Sequence, residues 1–221
     1  MNAEHLFDFL TRLSENNNRP WFQAHKAEFD ALRSEWCADI DRLIAACSEW
    51  EPRYAWFTGK ECTFRIYRDT RFSADKTPYK TYFSAALSPR GKNSDMAGFY
   101  VSAGLTDCGI YGGIWAPDSV ALRKMRRAIV DNIEEFEEIT SGPEIESLYP
   151  EWVGETLKTV PKGWPKNHPQ AHLLRLLHYG REKVVDRTFF SLPDWPERAA
   201  DMMRPLKPLI DFINYTLFEE E

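Results

Sequence analysis

Hydrophobic residues recur every three or four positions near the start of the chain, a spacing typical of amphipathic helices. One apolar face runs from Leu6 to Leu13, and we expect this first helix to end at the three asparagines 16–18. A second, longer helix opens at Arg19 and keeps its apolar spacing to Cys47, for about seven turns. The pattern therefore predicts a pair of N-terminal helices.

Apolar and polar residues alternate in the middle of the chain, which predicts strands. The period of two appears near residues 62–69, 81–88, 98–105 and 108–115, with polar turns or loops between these stretches. We expect a meander, in which strands that follow one another in sequence pair antiparallel. Glycines in the fourth stretch, CGIYGGIW, indicate a bulge or the close approach of another group.

Helical spacing returns after the predicted strands. One helix is expected from Asp118 to Ile139, and a later one covers AHLLRLLHYG as far as Gly180. VVDRTFF follows as a short strand candidate. The C-terminal helical pattern contains Pro205 and Pro208, which remove backbone donors, so we expect a break there.

These elements together predict an α+β fold: a central, mainly antiparallel sheet with helices packed on it, an N-terminal helix pair and C-terminal helices. At 221 residues the chain is long enough for a sizeable core. It contains no internal repeat and no low-complexity linker. We therefore expect residues 1–221 to form a single α+β domain.

The composition is that of an ordinary soluble globular protein, with 43% hydrophobic and 28% charged residues. No stretch approaches the ~18 apolar residues of a membrane span, and the N-terminus lacks the basic start and apolar run of a signal peptide. The four cysteines form no CxxC pair and fit reduced, buried thiols. A cytoplasmic protein that does not enter a membrane is expected.

The net charge of −6 is unevenly distributed along the chain. Residues 60–80 contain six Lys or Arg against three Asp or Glu, and residues 161–187 contain six against two. Their joint excess of +7 leaves −13 for the rest of the chain. Two basic segments in an acidic protein favour a small anionic ligand over a long polyanion, and the net charge disfavours nucleic-acid binding.

The stretch Phe64–Phe83, FRIYRDTRFSADKTPYKTYF, concentrates cations in a connection between two predicted strands. Such a connection is where a rigid scaffold can present binding residues. Guanidinium and ammonium groups grip a phosphate or carboxylate by forked and point-charge contacts. The candidate anion-binding residues here are Arg65, Arg68, Arg71, Lys76 and Lys80.

An alternative interpretation is that Asp69 and Asp75 pair with these cations and pin the loop as an internal salt-bridge network. The two interpretations share residues, because a network can orient the very arginine that binds a ligand. Arg65 and Arg68 lie on opposite faces of the predicted strand. Only one of them therefore joins a given pocket, unless a bulge intervenes.

The second basic segment, PKGWPKNHP, contributes Lys162 and His168, and we expect it to converge with the central loop on one anion pocket. The expected ligand is a phosphorylated or carboxylated small molecule or a nucleotide. Asp69, Asp75 and Tyr79 are candidates for acid–base chemistry, and the sequence leaves open whether any reaction takes place. The alternatives are a non-catalytic protein-interaction module, whose partner the sequence does not identify, and nucleic-acid binding through Arg and Tyr stacking.

Motifs of the common cofactor-binding and nucleophilic sites do not occur: the chain has no P-loop, no dinucleotide fingerprint and no nucleophile elbow. His168 and His172 are four apart, a spacing that can place two ligands on one helix face, but no glutamate completes an HExxH motif. We expect no metal site and no cofactor.

The motif RIYRDTRFSADKTPYK resembles that of a widespread family, domain of unknown function 2461, and the resemblance extends over nearly the whole chain. It includes WFQAHK near the N-terminus, the glycine-containing strand up to Trp115, and LKTVPKGWPKNHP. The resemblance implies membership of this family and no particular activity. The chain departs from the family's pattern at Ala74, Asn167 and Leu177, which leaves the central motif intact but weakens any argument that places Leu177 at a site.

Overall fold

The computed structural model of the protein describes residues 1–218. It is an α+β structure whose four strands form one antiparallel sheet. The strands pair in sequence order and are β1 Tyr82–Leu87, β2 Gly98–Gly104, β3 Gly109–Ile114 and β4 Tyr179–Val184. The predicted fold class is confirmed, and β1 to β3 lie where the alternating pattern placed three of its strands.

The helices lie before β1, between β3 and β4, and after β4 in the chain. Those among the described residues are α1 Ala3–Glu15, α2 Arg19–Ala24, α3 Lys26–Ser48, α4 Gly59–Cys62, α5 Ser119–Asp131, α6 Ile133–Thr140, α7 Pro143–Leu148, α8 Ala171–Leu174, α9 Trp195–Met203 and α10 Lys207–Phe218. Short 3₁₀ turns cover Pro52–Trp56, Arg187–Ser191 and Arg204–Leu206.

Two compact units make up the chain, and each draws on separate segments of it. Unit 1 consists of residues 1–87, 100–110 and 184–202. Unit 2 consists of residues 88–99, 111–183 and, among the described residues, 203–218. The single domain expected from the sequence stays a prediction.

The predicted long second helix is interrupted at His25, so the prediction of one continuous helix is wrong. The side chain of Asn18 caps α2 by accepting from the Trp21 N–H at 3.0 Å. His25 then ends α2: its ring stacks on Trp21 with centroids 3.9 Å apart, and its Nδ1 lies 2.8 Å from the Trp21 carbonyl oxygen. The His25 side chain thereby competes with the backbone hydrogen bonds that would continue the helix.

A similar interruption divides the predicted helix from Asp118 to Ile139. Asp118 caps α5 by accepting from the N–H groups of Val120 and Ala121, both at 2.8 Å. At the other end of α5, Asn132 Nδ2 donates to the Ala128 carbonyl at 3.0 Å, and α6 begins one residue later.

Two predictions in the last quarter of the chain are wrong. The helix expected over AHLLRLLHYG ends at Leu174, and its last residues enter β4 instead. VVDRTFF is no separate strand, because it starts at the end of β4 and continues into the 3₁₀ turn Arg187–Ser191. The break predicted from the prolines is confirmed by the 3₁₀ turn that separates α9 from α10.

Unit 1 has an aromatic core beneath its helices. The Trp36 ring of α3 stacks on Trp195 of α9 with centroids 5.6 Å apart, and Phe190 contacts both rings. The Trp195 indole N–H donates to the buried Asp39 carboxylate at 3.0 Å. The buried Asp39 carboxylate therefore has a hydrogen-bond donor within the apolar core.

Unit 2 has its own core around Phe136 of α6. Its ring lies 5.2 Å from Phe212 of α10 and 5.9 Å from Trp152, centroid to centroid. Asn214 of α10 exchanges two hydrogen bonds with the backbone of Ala97, at 2.8 and 3.2 Å. Apolar packing and satisfied backbone groups therefore both contribute to the stability of this unit.

The glycines of β3 mark the close approach of a neighbouring strand. Gly113 has φ +144°, and a Cβ added there would lie 2.3 Å from the Gly180 Cα atom and the Tyr179 carbonyl oxygen of β4. Only glycine fits such contact without displacing backbone.

Within the described residues the four cysteines form no disulfide bond; Cys47, Cys62 and Cys108 are buried and Cys37 is half-buried. Among the described residues, no helix combines the length and apolar character needed to cross a membrane.

Candidate anion-binding site

The stretch predicted as the first strand, residues 62–69, is one arm of an irregular hairpin, and the prediction of a regular strand is wrong. Two isolated antiparallel bridges hold the hairpin, one between Thr63 and Ala85 and one between Tyr67 and Tyr79. Four residue steps separate the bridges on the first arm and six on the second. The second arm therefore contains a bulge of two extra residues, which interrupts the regular ladder.

Backbone hydrogen bonds tie the two arms together at the loop end. The Lys80 N–H donates to the Ile66 carbonyl at 2.8 Å, and the Arg68 N–H donates to the Pro78 carbonyl at 2.9 Å. The charged loop, residues 69–77, is thus presented by two connected arms, as predicted.

Asn17 fastens this hairpin to the helices of unit 1. Its side-chain amide donates to the Tyr79 carbonyl at 2.9 Å and accepts from the Tyr79 N–H at 3.1 Å. The Tyr79 ring, 2% exposed, stacks on Phe22 of α2 with centroids 4.1 Å apart. The local pattern around asparagines 16–18 indicates only the end of α1, because it does not relate Asn17 to a backbone 62 residues away.

Arg68 is held by residues of the loop. Its Nη1 donates to Asp75 Oδ2 and to Thr77 Oγ1. Asp75 also accepts from the Thr77 N–H at 2.9 Å. The hydrogen bond from Arg68, followed by those from Thr77, lowers the pKa of Asp75 to about 2.

Arg71 forms a second, separate pair. Its Nη2 and Nε donate to the two oxygens of Asp69, at 2.6 and 3.0 Å, and this side-chain contact lowers the pKa of Asp69 to about 2. Lys76 Nζ donates to the Thr70 carbonyl at 2.8 Å. The loop therefore contains the ion pairs of the salt-bridge interpretation.

The protonation states limit what the candidate acid–base residues can do. Asp69 and Asp75 remain ionised at neutral pH and are weak bases, because a pKa of about 2 lies far from the operating range of a general base. Burial raises the pKa of Tyr79, so its phenol stays protonated. These three residues fit structural and binding roles better than proton transfer.

A cleft of about 500 Å³ opens beside the hairpin within unit 1. Five of the predicted site residues line it, and Arg65, Arg71 and Lys76 do not. The lining residues are Ser14, Asn17, Arg68, Asp69, Asp75, Thr77, Tyr79, Lys80, Thr81 and Tyr82. The other five lining residues were not predicted, because nothing in their local sequence pattern marks them as site residues: Ser14, Asn17, Thr77, Thr81 and Tyr82.

Lys80 is the cation of this cleft that has no counter-ion in the described part of the chain. Its half-buried ammonium lies 5.4 Å from the Phe64 ring centroid and 5.5 Å from the Tyr82 centroid. Among residues 1–218 no carboxylate lies within ion-pair distance of it. Burial, and then the nearby Arg65 charge, lower the pKa of Lys80.

Arg68 retains donors for a ligand. Both of its side-chain hydrogen bonds within the described chain use Nη1, so Nε and Nη2 have no protein acceptor there. Arg65 is exposed, and its guanidinium has no ion pair within the same residues.

The second basic segment, PKGWPKNHP, belongs to unit 2. Lys162 is exposed, and His168 Nδ1 accepts from the Gln170 N–H at 3.2 Å. The Trp164 ring meets His168 edge-on, with centroids 5.2 Å apart. The expected convergence of this segment with the central loop stays a prediction.

Two arginines of unit 2 are buried, which the sequence did not indicate. Arg126 donates to the carbonyls of Leu174 and Leu176, at 2.8 and 3.1 Å. Arg181 donates to those of Tyr149 and Thr140, at 2.5 and 2.9 Å, and burial lowers its pKa. These side chains stabilise loops and are removed from the charge available at the surface.

No group of three or more His, Cys, Asp or Glu side chains within residues 1–218 is arranged to hold a metal ion. In comparisons with known proteins, a family model described as "Conserved hypothetical protein (DUF2461)" matches residues 5–212. No curated protein and no solved structure matches the chain.

Proposed function

The chain belongs to the DUF2461 family of conserved hypothetical proteins, and we propose that the cleft of unit 1 binds a small molecule that carries a phosphate or carboxylate. Lys80 supplies the counter-charge, and the free donors of Arg68 orient the anionic group. Asp69 and Asp75 hold the arginines of the loop in place. The salt-bridge network and the ligand site are thus two aspects of one arrangement.

The observation that carries this proposal is the ammonium of Lys80, which lines the cleft and has no carboxylate partner within residues 1–218. Removing an ammonium from water is costly unless an anion compensates it. The two aromatic rings beside it provide only a weak electrostatic attraction, about 0.5–2 kcal/mol. A bound anion would restore the missing charge pairing.

The other lining groups suggest the rest of the ligand. The hydroxyls of Thr77 and Thr81 and the carboxylates of Asp69 and Asp75 surround the cleft with hydrogen-bonding groups. Carboxylates accept from hydroxyl or amine groups of a ligand while the cations contact its anionic group. The volume is within the range of small-molecule sites, about 300–1,000 Å³. A phosphorylated or carboxylated metabolite or a nucleotide fits these properties.

The proposal predicts that Lys80→Gln abolishes stabilisation by anionic ligands. A panel of sugar phosphates, nucleotides and dicarboxylates is screened by thermal unfolding. A ligand at about 100 times its Kd stabilises the folded state by about 2.7 kcal/mol, which raises the melting temperature by about 5–10 °C for a chain of this length. The wild-type protein shows such a rise, and the Lys80→Gln protein loses most of it.

Lys60→Gln is the matched control, since Lys60 is an exposed lysine of α4 in the same unit and lies outside the cleft lining. It retains the full ligand-induced rise. An equal rise in the wild-type and Lys80→Gln proteins would show that the anion binds elsewhere. Absence of any rise with the whole panel would contradict the proposal.

The alternative function is a non-catalytic protein-interaction module. The observation that favours it is Phe72, which is 97% exposed in the charged loop and contacts the Arg71 guanidinium at 5.9 Å from its ring centroid. Exposed aromatic and arginine side chains are common at the centres of protein interfaces. A single exposed ring is weaker support than an uncompensated charge inside a cleft, so anion binding is the preferred function.

A further inference from the structure

Lys80 differs chemically from other lysines of the chain whose partners are known. Lys26 pairs with Asp30 at 2.7 Å, and Lys76 donates to a backbone carbonyl. Such acceptors stabilise the charged ammonium. Lys80 instead faces the Phe64 and Tyr82 rings, and no carboxylate within residues 1–218 reaches it.

The charged groups near Lys80 do not restore that stabilisation. The carboxylates that line the same cleft are committed: Asp75 accepts from Arg68 and Thr77, and Asp69 accepts from Arg71. Arg65 carries a like charge close enough to act on Lys80, and together with burial it lowers the pKa of the lysine. A larger fraction of the amine is therefore neutral at a given pH than for an exposed lysine.

A neutral amine is a nucleophile, and its natural target is a carbonyl carbon. We infer that Lys80 forms an imine with an aldehyde or ketone group of a phosphorylated or carboxylated molecule bound in the cleft. This inference rests on the proposed function, because the anionic group is what places the carbonyl beside Lys80. It assigns the site a substrate class: small anionic carbonyl compounds.

The step balances without a further reactant. The Lys80 nitrogen attacks the carbonyl carbon and a carbon–nitrogen bond forms. The carbonyl oxygen departs as water, which takes up both hydrogens of the neutral amine. The product is a carbon–nitrogen double bond between Lys80 and the bound molecule, and no atom is oxidised or reduced.

Pyridoxal 5′-phosphate is the probe, because it combines an aldehyde with a phosphate. The full chain is incubated with it, reduced with sodium borohydride to make any imine permanent, and mapped by peptide mass spectrometry. We expect the peptide that contains Lys80 to be the principal labelled peptide, with Lys60 as the internal comparison. Inorganic phosphate should compete with this labelling, and pyridoxal without phosphate should label Lys80 less.

Lys80→Arg and pyridoxine 5′-phosphate separate the inference from the proposed function. Arginine keeps the positive charge between the two rings but cannot form the imine, and pyridoxine 5′-phosphate keeps the phosphate but has no aldehyde. In the wild-type protein pyridoxine 5′-phosphate should still raise the melting temperature, and in the Lys80→Arg protein the label at position 80 should be lost.

The outcomes are distinguishable. In one outcome pyridoxine 5′-phosphate raises the melting temperature, but Lys80 is not labelled or is labelled no more than Lys60. This outcome overturns the inference and supports anion binding alone. If neither pyridoxal 5′-phosphate nor pyridoxine 5′-phosphate raises the melting temperature and Lys80 is not labelled selectively, both the inference and the proposed function are overturned. A third outcome also overturns the inference: Lys80 is labelled selectively, but inorganic phosphate does not compete and pyridoxal without phosphate labels it equally well. The anionic group then does not direct the reaction.

Discussion

At the scale of single residues, the charged side chains of the central stretch differ by the partner that each one contacts. Arg68 and Arg71 each have a carboxylate, Lys76 has a backbone carbonyl, and Lys80 has aromatic rings. The first three contacts keep the loop in one conformation. The fourth leaves a positive charge for a ligand, which is why the proposed function depends on Lys80.

The pairing of Asp75 with Arg68 predicts an acid-shifted titration. The pKa of Asp75 is lowered from 3.8 to about 2. A carboxyl whose pKa is lower in the folded state stabilises that state above pH 3.8, and this contribution is lost as the pH falls through about 2. Carboxyl chemical shifts measured by NMR as a function of pH should give a midpoint near about 2 for Asp75.

Arg68→Gln tests the cause of this shift. It should move the Asp75 midpoint up toward 3.8, with part of the lowering retained because the Thr77 hydrogen bonds remain. Asp69 is the control within the same sample, since its pKa is lowered by Arg71 and should stay near about 2. A wild-type Asp75 midpoint near 3.8 would show that the Arg68 contact is absent in solution.

At the scale of elements, close contacts of the backbone determine which residues the strands accept. β3 and β4 approach so closely at Gly113 that a side chain has no room. In the hairpin that pairs residues 63–67 with residues 79–85, by contrast, the second arm contains two extra residues as a bulge. The glycine and the bulge each allow a segment to pair with a neighbour that is distant in sequence.

Gly113→Ala should destabilise the protein strongly. The residue has φ +144°, and the new Cβ would lie 2.3 Å from backbone atoms of β4. Backbone strain of this kind costs of order 1–3 kcal/mol, and the steric overlap adds to it. Thermal unfolding should show a melting temperature lower by at least about 2–4 °C, the change expected for 1 kcal/mol in a chain of this length.

Gly142→Ala provides the matched control in the same unit. Gly142 precedes α7 with φ −66°, and an added Cβ has no atom within 4 Å. Its melting temperature should stay at or slightly above that of the wild-type protein, because alanine restricts the unfolded chain. Equal melting temperatures for the two variants would contradict the close packing of β3 against β4.

At the scale of the whole molecule, the charge distribution separates small anions from polyanions. The net charge is −6, and part of the apparent basic character of residues 161–187 is internal, since Arg181 is buried and bonded to carbonyls. The surface available to a nucleic acid is therefore less basic than the sequence suggests.

A single-stranded oligonucleotide should accordingly show no measurable binding at physiological salt. Fluorescence anisotropy with a labelled oligonucleotide tests this, under the same conditions in which a small anion raises the melting temperature. Tight binding that weakens steeply as salt increases would favour the nucleic-acid alternative instead.

Local pattern alone determined much of the architecture of this protein. The alternation over residues 81–88, 98–105 and 108–115 predicted β1 to β3, and Pro205 and Pro208 predicted the 3₁₀ break before α10. The sequence also located the charged loop and five of the residues that line the cleft. These features depend on side-chain period, on missing backbone donors and on neighbours a few residues apart, all of which a sequence displays directly.

The remaining features depend on contacts between distant segments. The arm of residues 62–69 is irregular because its bridge partners on the opposite arm, Tyr79 and Ala85, are two residues further apart than Thr63 and Tyr67. Asn17 lines the cleft because its side chain bonds to the backbone of Tyr79, 62 residues away. Arg181 is buried and donates to backbone carbonyls of unit 2. The partner of each cation depends on distances between distant segments, and no local period encodes these distances. For that reason the sequence did not rank the five candidate cations of residues 64–83. In the folded protein Lys80 is the one that lines the cleft and has no carboxylate partner within residues 1–218.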